Sequence, residues 1–127
     1  MKTTEVVMTT RAIADRLYGL FNENKWEQAQ DELFCEDAKS IESTGLKWLK
    51  SVEGVAAIKQ KGRDFNNEVE EVHGGYVGRP IVAGNFIAMT MGMDLTMRGE
   101  GRIKMDEIAV YEVKDGKIVK EQFFYSY

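Results

Sequence analysis

The sequence predicts an α+β domain, with helices packed on one face of a long, curved antiparallel sheet. Three observations carry that expectation. Apolar residues recur at helical spacing in the first half of the chain, the period changes to two from about Glu68 onward, and turn signals punctuate the second half at "AGN" (83–85), "RGEG" (98–101) and "KDGK" (114–117). Helices followed by a run of strands make layers of the α+β kind. At 127 residues, one domain spanning 1–127 is expected, long enough to bury its own core.

The elements follow in order. Ile13, Leu17, Leu20 and Phe21 mark a first helix, with Arg11, Asp15 and Arg16 between them. After "NENK", Trp26, Ala29 and Leu33 mark a second, shorter one. "AKSIES" reads as a brief strand bounded by Thr44 and Gly45. Val55, Ile58, Gly62 and Phe65 mark a third helix, with Ser51 as candidate cap and Glu53 in the first turn. Four strands then form an antiparallel meander, with the single proline, Pro80, near its first turn.

Alternation splits each strand into two faces. Ile87, Met89, Met91, Met93, Leu95 and Met97 share one face and are expected to point at the helices, with Met89 and Met97 less covered than Met91 and Met93. Ile103, Met105, Glu107, Ala109, Tyr111 and Val113 share the inward parity of the next strand. Val119, Glu121, Phe123 and Tyr125 share that of the last. Ile108, Val110, Ile118 and Phe124 fall on the outer face, where an apolar cluster marks an interface between two copies of the chain.

Composition narrows the function. With 43% hydrophobic and 30% charged residues and a net charge of −4, the chain is an ordinary globular sequence with no basic patch. Neither a nucleic-acid nor a membrane partner is expected. No signal peptide or membrane span is read, and the single cysteine, Cys35, fits a cytoplasmic protein. The methionine row "MTMGMDLTM" has no neighbouring His or Cys, so no metal is expected there. It reads as packed core, or as a wall adaptable to apolar ligands. "VHGGYVG" leads into a strand pattern and is not a nucleotide loop.

The element order, "LFCEDAKSIESTG" after the second helix and "IAVYEVKDGKIVKEQFFY" at the end together resemble the nuclear transport factor 2-like superfamily, most closely its SnoaL-like branch. The resemblance covers nearly the whole chain. It implies a cone: a curved sheet wrapped around three helices, enclosing a pocket, with dimerisation through the outer face. Members range from ketosteroid isomerase and polyketide cyclases to binding modules, so the fold leaves the reaction open.

Laid on that pattern, Glu42 falls where the isomerase carries its general base, with Ile41 as the alternative inward residue. The family's oxyanion-stabilising tyrosine falls at Leu17, and its second acid, like the cyclases' catalytic aspartate, at Ala109. With both donors missing, ketosteroid isomerase activity is not expected. Glu107 and Glu121 remain as inward acids that need partners, expected at nearby levels on adjacent strands. Glu42, Glu107, Glu121 and His73 are therefore the candidate catalytic residues. Leu17, Met91, Met93, Ala109, Tyr111, Phe123 and Tyr125 are the expected pocket lining, with no cofactor. Binding of a small, largely apolar molecule is the first functional expectation. Cofactor-independent isomerisation, dehydration or cyclisation is the second, and a dimeric interaction module with a filled cone the third.

Overall fold

The computed structural model describes residues 7–43 and 47–125; the expected boundary at Thr44 and Gly45 lies outside them. Three helices, α1 (Thr10–Asn22), α2 (Trp26–Leu33) and α3 (Val55–Asn67), accompany seven strands. These are β1 (Phe34–Ile41), β2 (Val52–Glu53), β3 (Val69–Val77), β4 (Ile81–Ala83), β5 (Phe86–Met97), β6 (Gly101–Lys114) and β7 (Lys117–Tyr125). They form one curved, unclosed sheet in the order β2-β1-β7-β6-β5-β3, with β4 also paired to β5. Every pairing is antiparallel but one: β1 runs parallel to β7. The fold is thus the expected α+β cone with a mixed sheet, and the second half contributes five strands where four were expected.

The helical stripes pack as their spacing dictates. In α1, Thr9 caps the helix by accepting from the Ala12 N–H at 3.1 Å, and Ile13, Ala14, Leu17, Leu20 and Phe21 are buried. Trp26 opens α2 and stacks on Phe21 with ring centroids 3.9 Å apart. Ser51 does not cap α3. Gly54, at φ 97°, takes that place, Glu53 belongs to β2, and the Ser51 hydroxyl accepts from the Glu42 N–H at 3.0 Å.

Parity holds along β5 and β6 and breaks in β7. Glu112 pairs with Lys120 but Val113 with Ile118, so Val119 is an extra residue, a β-bulge. Ile118 therefore turns inward and is fully buried, not on the outer face as alternation implied. The same bulge sets Glu121 opposite Tyr111, inward-facing, and Glu107 opposite Tyr125. The two acids stand four residues apart along β6, not at one level.

Buried residues form two separate apolar clusters. The larger joins α1 and α2 to Ile58, Met89, Met91, Ala109, Tyr111 and Ile118. The smaller joins Phe65, Leu95 and Met97, with Met93 and Ile103 packed against it. The methionine row is sealed at its ends, Met89 at 2% and Met97 at 1% exposure, while Met93 between them is only partly covered. That inverts the expectation of looser ends, because each end is packed into a cluster and Met93 stands only at the rim of the smaller one.

On the outer face the Tyr76 ring lies across Gly92, where a Cβ would come within 2.0 Å of it, and the Tyr76 hydroxyl donates to Asp106 at 2.8 Å. Only glycine admits that crossing.

Candidate functional site

A polar belt separates the two clusters. On α3, Ile58 belongs to the first cluster and Phe65 to the second, with Lys61 between them. On β6, Ala109 and Ile103 flank Glu107 in the same way. Ser40 on β1 and Glu121 on β7 are register partners and both are buried. Glu42 follows the last residue of β1.

At the belt's centre Glu42 faces inward, which decides between it and Ile41. Lys61 Nζ donates to Glu42 Oε2 at 2.6 Å and to Ser40 Oγ at 2.6 Å, and the Tyr125 hydroxyl donates to Glu42 Oε1 at 3.0 Å. The Lys61 and Glu42 side chains are 10% and 4% exposed. The ammonium also stands 5.7 Å from the centre of the Phe123 ring. A buried carboxylate is tolerated when it is paired and hydrogen-bonded, and this one is.

Among the described residues neither Glu107 nor Glu121 is held in an ion pair of its own, and Glu121 has a hydrogen bond from Ser40. Burial, and then the charges of Glu42 and Glu121, push the Glu107 carboxyl up to about 7. Burial also pushes Glu121 up to about 7, against a hydrogen bond from Ser40 and the charge of Lys61, which favour ionisation. Tyr111, buried beside Glu121, has its hydroxyl pushed well above the ordinary value, by burial first. Two acids near neutrality beside a fixed ion pair can exchange protons at physiological pH.

Glu42, Glu107 and Glu121 are thus brought into one belt, with Phe123 and Tyr125. His73 is not: it lies mid-strand in β3, and its Nε2 meets Thr96 Oγ1, on the outer parity of β5, at 2.7 Å. Leu17, Met91, Ala109 and Tyr111 are buried in the larger cluster. Among the described residues, an open depression of about 430 Å³ lies on the outer face between Tyr76, Thr90, Asp106, Ile108 and Phe124, bordered by Glu107 and Tyr125. No group of described residues has the makings of a metal site, and no described helix is long and apolar enough to cross a membrane.

Sequence reasoning missed Lys61, although the signal was there. It sits three residues after Ile58 and four before Phe65, on the buried stripe of α3.

This arrangement sits in a recognisable frame: the SnoaL-like domain family matches residues 8–125. The chain belongs to that family, within the nuclear transport factor 2-like superfamily. Among solved structures, a protein from Mesorhizobium loti described as a SnoaL-like polyketide cyclase, with carbohydrate phosphatase given beside that name, is 33% identical. The match has a TM-score of 0.86 and covers 93% of this chain and 100% of that one. An NTF2-like protein from Burkholderia thailandensis is 16% identical, with a TM-score of 0.80 over 94% of this chain and 92% of that one. A protein of unknown function with a cystatin-like fold, from Xanthomonas campestris, is 15% identical, with a TM-score of 0.71 over 94% and 92%. The last two share the fold alone. No curated protein matches the chain.

Proposed function

We propose that this SnoaL-like domain catalyses a cofactor-independent proton transfer on a small carbonyl compound, the step underlying isomerisation, dehydration and cyclisation. What carries the reading is the pair of carboxylic acids poised near pH 7 beside the Lys61–Glu42 ion pair. Glu107 is the group that exchanges the proton. The substrate's α C–H bond breaks, the proton passes to the Glu107 carboxylate, the electron pair moves onto the carbonyl oxygen, and Glu107 returns the proton at the end. Burial, and then the charges of Glu42 and Glu121, hold the Glu107 carboxyl at about 7. The Mesorhizobium loti relative described as a polyketide cyclase supports chemistry of this kind. The reading as a carrier of an apolar molecule comes second, because the groups gathered beside Glu107 are charged or polar: Lys61, Glu42, Ser40 and Glu121.

The test is exchange of α-protons in D2O, followed by NMR over a panel of small enolisable β-dicarbonyl compounds. Wild type should accelerate exchange of at least one, and Glu107→Gln should lower that rate by about 10²-fold or more. Equal rates for the two proteins would remove Glu107 from the reaction.

We also propose a homodimer through the outer face. Ile108 and Phe124 are about half exposed there, beside Val110. Ile118, turned inward by the bulge, is no longer part of that surface, whereas Tyr76 and Phe86 extend it. Phe124→Glu should convert a sedimenting dimer into monomer; wild type sedimenting as monomer at micromolar concentration ends the proposal.

A further inference from the structure

We propose that Lys61, Tyr125 and Ser40 form a receptor for a small carboxylate, and that Glu42 occupies it as a built-in stand-in until such a ligand displaces it. Donors from two distant elements, α3 and β7, reach the two oxygens of one carboxylate: Lys61 Nζ meets Oε2 at 2.6 Å and the Tyr125 hydroxyl meets Oε1 at 3.0 Å. Charge-assisted donors on both oxygens are how a protein recognises a carboxylate as such. The donors are held independently of Glu42. Lys61 lies mid-helix, bonds Ser40 Oγ at 2.6 Å and stands over the Phe123 ring, while Tyr125 is paired in β7 with Glu107.

The acceptor is held differently. Glu42 stands just past the end of β1, outside its ladder, with its N–H on the Ser51 hydroxyl. Exchanging the ionised Glu42 side chain for an ionised ligand leaves Lys61 paired and the charge of the belt unchanged. The receptor adjoins Glu107 across the β6–β7 ladder. A ligand seated there by a carboxylate presents its neighbouring carbons to that acid.

This narrows the substrate of the proposed proton transfer to carbonyl compounds that carry a carboxylate, and to that extent rests on that reading; the receptor itself does not. The decisive variant is Glu42→Ala, which empties the position while keeping the donors. At constant ionic strength, formate or acetate should raise the melting temperature of Glu42→Ala saturably, by several degrees. Acetamide and chloride should not, and Glu42→Ala/Lys61→Met should lose the response. If Glu42→Ala does not fold alone, refolding in formate or acetate should recover it, with acetamide failing. No rescue by either carboxylate, or equal rescue of the double variant, overturns the receptor. Glu107→Gln separates the two claims: in Glu42→Ala/Glu107→Gln the carboxylate response should persist, so wild type that fails to accelerate proton exchange while this response stays intact sinks only the function.

Discussion

Two ion pairs stand on opposite faces of the sheet with similar geometry. On the inner side Lys61 meets Glu42 at 2.6 Å; on the outer side Arg102 grips both oxygens of Asp94 at 2.9 Å. Contact distance alone would rank them alike. Their surroundings do not: the inner side chains are 10% and 4% exposed, whereas Arg102 is 62% and Asp94 23% exposed. Water screens the outer pair and replaces either partner at little cost. Inside, neither partner can lose the other without leaving a charge in a poorly hydrated site. The same chemical bond is therefore interchangeable trim on one face and an obligatory component on the other.

The sharpest way to break that contrast is Lys61→Met. Methionine fills much of the same space but leaves Glu42 buried with only the Tyr125 hydroxyl. A loss of ~3–5 kcal/mol in unfolding free energy is expected at pH 7, measured by denaturant titration. A change below ~1 kcal/mol would mean that the belt is more hydrated than its burial implies.

Acid titration sharpens it next. Glu107 and Glu121 sit at about 7 when folded, against an ordinary value of 4.5. A folded value above the unfolded one means the native state binds more protons between the two. Stability is then greatest below about pH 4.5 for these groups and is lost as pH rises through 7, the reverse of the usual salt-bridged carboxylate. Glu121→Gln, which mimics the protonated form, should remove much of that slope. At pH 8 it should be the more stable protein, by on the order of 1–3 kcal/mol. A wild type whose stability rises from pH 5 to 8 would contradict the buried-acid description.

How much of this was readable in advance depends on the range of the interaction that fixed it. The α1 stripe and the inward faces of β5 and β6 follow from local period, the inward parity of Glu107 among them. Alternation misplaces Ile118 because "KIVKEQ" carries no mark of a bulge; two adjacent apolar residues, Ile118 and Val119, are all that local pattern shows. The parallel β1–β7 pair joins strands some eighty residues apart and leaves no local trace at all, yet it brings Ser40 to Glu121. Lys61 was on a legible stripe, but a lysine is read as solvated unless its anionic partner is already known to face it.

The methionine row offers a milder test of the boundary between clusters. Met89→Ala removes a fully packed side chain and should cost ~2–5 kcal/mol. Met93→Ala, at the edge of the belt, should cost no more than about half as much. Similar losses at the two positions would mean that the clusters are continuous and the belt is only a gap in the count of buried residues.

The smallest effect belongs to the outer pair. Arg102→Ala deletes both bonds to Asp94, whose carboxyl the guanidinium holds below its ordinary value mainly through those bonds. Asp94 faces water, so it trades one set of donors for another, and the exposed Arg102 side chain gives up little packing. The melting temperature should stay within about a degree of wild type at moderate salt. What change there is should shrink as salt is raised, since a Debye length of ~10 Å at 0.1 M already spans the pair's surroundings. Lys61→Met should show no comparable salt dependence, because bulk salt screens a buried group much less than an exposed one. A salt-insensitive loss at Arg102 as large as that at Lys61 would erase the distinction between the faces, and the assignment of function to the inner one would lose its physical basis.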